Sequence, residues 1–132
     1  MIALDTNVLV RYVVEDDPRQ SALATALIHR AIASDESLFV SDIVVCETVW
    51  VLRISYHIAR AEIATLLRSL FRARHLAFRA ANELQRALDA YENGKGDFAD
   101  YLIREHGRSA EYESVATFDK VLLKERGFIA AR

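Results

Sequence analysis

Five carboxylate side chains lie in short motifs spread along the chain, and together they could hold a divalent metal ion. Asp5 follows an apolar run in MIALDTNVLV, and Glu47 interrupts the apolar stretch CETVWVL. Asp97 and Asp100 belong to GKGDFADYLI, and Asp119 belongs to TFDKVL. Two carboxylates ~4 Å apart repel by about 4 kcal/mol at an effective dielectric constant of about 20. A cluster of such groups therefore needs a cation to compensate its charge.

The available ligand types indicate which cation this would be. Cys46 is the only cysteine, which excludes a disulfide within the chain and a zinc site built from thiolates. The histidines have no ligand spacing: His29, His57, His75 and His106. Oxygen donors alone suit Mg²⁺ or Mn²⁺, which retain bound water and leave room for a phosphate. Such a metal activates water and neutralises charge on a phosphoryl group, which is the chemistry of phosphodiester hydrolysis.

Strands and helices alternate along the sequence. Strands are predicted at 2–4, 38–40, 76–78 and 114–117, and helices at 18–32, 43–54, 62–71, 80–93, 97–107 and 119–126. Asp17 and Pro18 mark the start of the first helix, and Ser41 or Asp42 caps the second. This order predicts a single α/β domain over residues 1–132, a three-layer sandwich with a small, mainly parallel sheet of four or five strands flanked by helices.

In such folds, sites lie beyond the carboxyl ends of the strands. Asp5 ends the first predicted strand, and Thr117 and Asp119 end the fourth. Glu47 lies about one turn into the helix after the second strand, and the two acids of GKGDFADYLI open the helix after the glycine-rich loop. All five acids could therefore face one edge of the sheet.

Glu47 also has a purely structural interpretation. Its helix is apolar on all sides, which predicts burial on more than one face, and Ile43 and Trp50 share the face of Glu47. A lone carboxylate there would be costly, so a buried ion pair with Arg11 or Arg53 is the alternative to a metal.

The other acids have local alternatives as well. Asp5 could be a turn residue with its side chain in water. Asp97 could cap its helix in a capping pair with Asp100, and Asp100 could simply favour the positive end of the helix dipole. Asp119 could cap the short helix that follows it.

Taken together, the four motifs DTNVLVRY, CETVWVL, GKGDFADYLI and TFDKVL resemble those of the PIN-domain nucleases. The chain resembles more narrowly the VapC-like toxins of type II toxin–antitoxin pairs, and the likeness covers essentially the whole sequence. The resemblance implies a PIN-like fold, a Mg²⁺- or Mn²⁺-dependent endoribonuclease acting on RNA such as tRNA, a homodimer and a cognate antitoxin.

The resemblance also assigns roles to individual residues. It makes Asp5 the first catalytic, metal-binding carboxylate, Glu47 the second, Asp100 the third and Asp119 a less regular fourth. We expect the first and third to bind the principal ion, and the other two to bind it through water or to hold a second ion.

Three further residues are expected to support the site. Asn7 and Thr117 match polar positions that orient the acids, and Asp97 could support the site while capping its helix. The sequence departs from the family pattern at Arg104 and its two successors, where relatives more often have small residues. This departure could place the arginine near phosphate or in solvent.

Two other functions are compatible with part of the pattern. A haloacid dehalogenase-like phosphatase would use Asp5 as its nucleophile, but such enzymes carry a second Asp where this chain has Asn7. A non-catalytic PIN-like binding module would be expected to lack some of the acids, and all four are present.

The remaining features bear on partners and location. The net charge of −2 does not indicate a protein that grips nucleic acid through bulk charge. A local basic stretch from Arg68 to Arg79, with Phe71 and Phe78 interleaved, could contact RNA or form a solvated helix end. No apolar run is long enough for a membrane span, and no signal peptide is recognisable, so a cytoplasmic protein without a membrane partner is expected.

Overall fold

The computed structural model describes residues 2–132, which fall into two compact units, Met1–Arg79 and Ala80–Arg132. Each unit combines parallel strands with helices.

The first unit contains three strands and four helices. In chain order they are β1 (Ile2–Ala3), α1 (Thr6–Val13), α2 (Pro18–Ala33), β2 (Leu38–Phe39), α3 (Asp42–Ile54), α4 (Arg60–Arg72) and β3 (Leu76–Ala77). The strands form a parallel sheet in the order β1-β2-β3, with Ile2 opposite Leu38 and Leu38 opposite Leu76. Side chains of all four helices supply its core, among them Leu9, Ile28, Leu52 and Ile63.

The predicted helix starts in this unit are confirmed. The Asp17 side chain accepts a hydrogen bond from the Gln20 N–H at 3.0 Å, and Pro18 is the first residue of α2. Ser41 is the N-cap of α3, and its hydroxyl accepts the Val44 N–H at 3.2 Å. Helix α1 was not predicted, because the residues after Asp5 were assigned to no element.

The prediction that α3 is buried on more than one side is wrong. Its core face consists of Val45, Thr48, Val49 and Leu52, whereas Ile43 is 70% exposed and Trp50 is 60% exposed. The core buries only one face of this apolar helix, so its other apolar side chains are exposed. Glu47 therefore lies on an exposed face with apolar neighbours, and water reaches it.

The second unit contains two helices, a 3₁₀ turn and two strands. In chain order they are α5 (Ala81–Asn93), α6 (Phe98–Ser109), β4 (Val115–Thr117), the 3₁₀ turn Leu122–Lys124 and β5 (Phe128–Ala130). Strands β4 and β5 are parallel, with Val115 opposite Phe128. The core is built from large side chains on α5 and α6, including Leu84, Leu88, Tyr91, Phe98 and Tyr101.

Two predictions in this unit need correction, and one strand was not predicted. Helix α6 continues past Gly107 to Ser109, and the chain turns at Glu111, whose φ is 69°. The helix predicted over 119–126 is only one 3₁₀ turn, and β5 follows it unpredicted. Gly127 makes the turn into β5 possible, because its φ is +90° and a Cβ there would lie 2.7 Å from Cδ of Arg104.

A buried carboxylate ties together the helices of the second unit. Glu105 is 1% exposed, and its Oε1 accepts Nε of Arg86 at 3.0 Å. Its Oε2 accepts Nε of Arg104 at 3.0 Å and a guanidinium nitrogen of Arg108 at 3.2 Å. The Arg104 guanidinium also lies 5.3 Å from the ring centroid of Tyr101. The expectation that Arg104 lies in solvent or near phosphate is therefore wrong, since it is a buried packing residue.

The α/β fold class is confirmed: all five strands pair in parallel, and helices connect the strands of the first sheet. Within residues 2–132, the first unit has a sheet of three strands and the second unit has a sheet of two. Among residues 2–132, none of the helices has the length and apolar character that crossing a membrane requires.

Candidate metal centre

Asp5 and Glu47 are linked through Thr6, the first residue of α1. Asp5 is the N-cap of α1, and its Oδ1 accepts the backbone N–H of Thr6 at 2.8 Å. The Thr6 hydroxyl, on a side chain that is only 6% exposed overall, donates to Oε2 of Glu47 at 3.0 Å. Thr6 therefore fixes both carboxylates at once. Sequence reasoning assigned it no role, although its position directly after Asp5 was a usable signal.

Asp97 and Asp100 form a capping box at the start of α6. Asp97 is the N-cap, and its backbone N–H donates to Oδ2 of Asp100 at 3.2 Å. The capping interpretation of Asp97 is thus correct. The Asp97 residue is exposed, so a role of its carboxylate in the site stays a prediction.

The environment of Asp100 disfavours its charged form. Burial raises the pKa of Asp100, the hydrogen bond from the Asp97 N–H lowers it, and the negative charges of Asp97, Asp119 and Glu125 raise it further. The net pKa lies above the usual value for Asp. A cation is the natural compensation for carboxylates that repel one another in this way.

Asp119 is held by its own turn. Its backbone N–H donates to the hydroxyl of Thr117 at 3.0 Å, and its Oδ1 accepts the Val121 N–H at 2.8 Å. Thr117 thus positions the backbone of Asp119. These bonds hold the acid at the end of β4, where the parallel-strand rule places it.

The four acids share one pattern of hydrogen bonding. Each has one carboxylate oxygen bonded to a neighbouring N–H or hydroxyl, while its other oxygen has no hydrogen bond or ion pair within residues 2–132. A tethered carboxylate with a spare oxygen suits Mg²⁺ or Mn²⁺, which often bind through one or two carboxylates and keep several waters. Within the described part of the chain, no group of three or more His, Cys, Asp or Glu side chains is close enough to hold a metal.

The alternative interpretation of Glu47 was a buried ion pair with Arg11 or Arg53, and among residues 2–132 Glu47 makes no ion pair with either. Arg11 instead donates to Asp16 at 3.0 Å and to the hydroxyl of Tyr56 at 2.7 Å. Asn7 is exposed, and among residues 2–132 its side chain makes no hydrogen bond to either acid. Its orienting role stays a prediction.

The basic stretch before α5 offers no free aromatic platform. Phe71 and Phe78 pack edge to face with their centroids 5.1 Å apart, and neither is fully exposed. Arg79 lies 5.7 Å from the ring centroid of Phe39, and Arg74 pairs with Asp35 at 3.4 Å. These contacts favour the interpretation of this stretch as packed rings and a solvated helix end.

Cys46 is not poised for chemistry. Burial, together with the charge of Asp42, raises the pKa of its thiol to about 11. The thiol is therefore protonated at neutral pH and inert as a nucleophile.

Tethered carboxylates thus lie at strand ends and helix starts in both α/β units, the positions where α/β folds commonly carry their sites. A family model described as "PIN domain" matches residues 2–128, so the chain belongs to the PIN-domain family. Proteins of this family are typically nucleases that use divalent metals and act on nucleic acid, and this chain has their fold. None of the curated proteins matches the sequence.

Proposed function

We propose that the protein is a Mg²⁺- or Mn²⁺-dependent endoribonuclease and the toxin of a toxin–antitoxin pair. The observation that carries the proposal is the shared pattern of the four acids, each fixed through one oxygen and spare at the other. The family assignment supports nuclease chemistry, and the motifs support the narrower toxin role. A toxin of this kind acts on RNA in the cytoplasm.

The proposed mechanism gives each acid a distinct task. Asp5 and Asp100 would bind the principal ion directly, while Glu47 and Asp119 would bind it through water or hold a second ion. Such an ion supplies an activated water and neutralises the charge that develops on the phosphate. Thr6 keeps Asp5 and Glu47 in place, and Asp97 and Thr117 do the same for Asp100 and Asp119.

Metal-dependent cleavage of RNA tests the function directly. The purified protein with Mn²⁺ should cut a labelled RNA oligonucleotide, and excess EDTA should stop the reaction because the carboxylates alone cannot activate water. Release of phosphate from p-nitrophenyl phosphate should stay at background. The reverse pattern, phosphate release without RNA cleavage, would support the phosphatase and contradict the nuclease.

Partner proteins follow from the same proposal. We expect a cognate antitoxin and a homodimer, and the exposed apolar residues of α3, Ile43, Trp50 and Ile54, are the kind of surface that protein contacts cover. A short gene beside this one that encodes a protein with a DNA-binding amino end would support the toxin role. An isolated gene would count against it.

Thr6→Val should lower the rate of RNA cleavage by about 10- to 100-fold, because a hydrogen bond to a charged group is worth ~1.5–3 kcal/mol. The variant keeps the backbone N–H that binds Asp5 but loses the hydroxyl that holds Glu47. The measurement is kcat and KM for one RNA substrate at saturating Mn²⁺. Thr6→Ser, which retains the hydroxyl, should recover most of the rate, and equal loss in both variants would refute the role of that bond.

A further inference from the structure

All three lysines of the chain lie in one part of the second unit. They are Lys95, in the loop between α5 and α6, and Lys120 and Lys124, between β4 and β5. Each is exposed, and none makes an ion pair with another residue in the range 2–132. The chain's fourteen other basic side chains are arginines, several of which are paired with acids. The lysines therefore present uncompensated positive charge.

Two of these lysines line a depression in the surface of the second unit. Its volume is about 400 Å³, and Asn93, Gly94, Lys95, Val121, Lys124 and Glu125 line it. The walls come from the end of α5 with the loop after it and from the segment around the 3₁₀ turn. The lysine on each wall provides an ammonium group for a phosphate, beside the hydrogen-bonded carboxylate of Glu125.

Hydrogen bonds fix the shape of this depression. The hydroxyl of Tyr101, which is fully buried, donates to Glu125 at 2.7 Å and accepts the Gly96 N–H at 2.9 Å. A Cβ at Gly94 would lie 2.7 Å from the backbone oxygen of Ala90 and 2.0 Å from that hydroxyl, so only glycine fits there. The loop carrying Lys95 is thus held against the segment carrying Lys124.

An unusually exposed aromatic ring lies in the same segment. Phe118 is 87% exposed, more than any other large apolar side chain in the described residues. It stands between Thr117 and Asp119, and Lys120 follows directly. An exposed ring among unpaired cations fits a ligand that has both phosphates and flat bases.

We propose that Lys95, Phe118, Lys120 and Lys124, here named the lysine–phenylalanine surface, bind the single-stranded RNA substrate. The ammonium groups contact successive phosphates, and one base stacks on the ring of Phe118. Single strands are favoured over duplexes because only an unpaired base can leave its neighbours and stack on a side chain. The inference rests on the proposed nuclease function, since it places the substrate strand beside Asp119.

The test measures binding separately from cleavage. Fluorescence anisotropy of a labelled single-stranded RNA in EDTA, titrated between about 50 and 200 mM salt, gives the affinity and its salt dependence. Changing all three lysines to glutamine should reduce the slope of log K against log salt by about 2, because each single-strand phosphate contact contributes ~0.7. Phe118→Ala should weaken binding about 10-fold with the slope unchanged.

Matched controls separate this surface from general effects. Arg19, Arg30 and Arg132, all exposed, changed together to glutamine remove the same charge, and Tyr112→Ala removes a ring that is 71% exposed elsewhere in the second unit. Both controls should bind single-stranded RNA like the wild type. Phe118→Ala should also leave binding to the corresponding duplex unchanged.

The outcomes distinguish this inference from the proposed function. If the wild type cleaves RNA but the lysine and Phe118 variants bind it as tightly as the wild type does, the RNA-binding role of this surface is wrong. The proposed nuclease function is then unaffected. That result would also be expected of a surface for an acidic protein segment. If the variants lose binding while the wild type shows no metal-dependent cleavage, the RNA-binding role of the surface is supported and the nuclease function is wrong. A wild type that binds no RNA overturns both.

Discussion

Asp100→Asn is expected to reduce metal-dependent RNA cleavage by about 1,000-fold or more, since a bound metal contributes several kcal/mol of transition-state stabilisation. Asparagine has nearly the same shape and can still accept the Asp97 N–H that completes the capping box. The change therefore removes the negative charge and leaves the start of α6 in place. The measurement is kcat/KM with Mn²⁺, together with circular dichroism to confirm the fold.

Two control variants sharpen this result. Glu113→Gln removes a charge from an exposed residue of the same unit and should leave activity unchanged. Asp97→Asn keeps a residue type that caps helices as well as aspartate does, so near-normal activity would limit Asp97 to capping. Undiminished activity in Asp100→Asn would remove Asp100 from the metal site.

The same variant also has a pH signature. Because the folded protein raises the pKa of Asp100, the stability associated with this group is fully present below the ordinary Asp pKa of ~3.9 and is lost as pH rises through the folded pKa. Asparagine does not titrate. In EDTA, the Tm of Asp100→Asn relative to that of the wild type should therefore increase from acid to neutral pH. A constant difference would contradict a raised pKa of Asp100 in the folded protein.

Glu105→Gln is expected to cost the largest amount of stability of any single change considered, about 3–5 kcal/mol. The carboxylate is almost completely buried and accepts hydrogen bonds from three arginines. Without its charge, the Arg104 guanidinium, whose side chain is 10% exposed, stays buried and uncompensated. At roughly 4 °C per kcal/mol for a chain of this size, Tm should fall by about 12–20 °C.

Burial is the cause of this cost, and a partner residue tests that. Arg86 contacts the same carboxylate, but its side chain is 51% exposed, so Arg86→Gln should cost no more than about 1 kcal/mol. Thermal and urea unfolding of both variants give the comparison. Similar losses for Glu105→Gln and Arg86→Gln would show that the buried charge is not what stabilises α5 and α6.

Local signals in the sequence predicted much of the fold. Asp17 with Pro18, Ser41 and the pair Asp97 and Asp100 define helix starts through contacts within four residues, and all of them formed as expected. The errors arose where packing decides. Nothing local shows that Trp50 is exposed, or that Arg86, 19 residues away, joins the neighbouring Arg104 and Arg108 on Glu105, because those outcomes depend on residues far away in sequence.

The candidate site was predictable to the level of residue type and position along each element. Glu47 and Asp119 stand where alternating strands and helices place them, one turn into a helix and after a strand. Asp5 follows β1 as expected, but its place as the cap of α1 was not predicted. Their tethers were not predictable, since the bond from Thr6 to Glu47 spans 41 residues. The unpaired lysines near Asp119 were also missed. The net charge of the whole chain, −2, does not show a local excess of positive charge.

Binding of Mn²⁺ measured by isothermal titration calorimetry tests the central claim, that acids from separate motifs bind one catalytic metal centre. The wild type should bind the ion, and Asp5→Asn and Asp100→Asn should each weaken binding by at least ~10-fold, or ~1.4 kcal/mol. Glu113→Gln should bind like the wild type. Wild-type affinity in both of the first two variants would contradict the account.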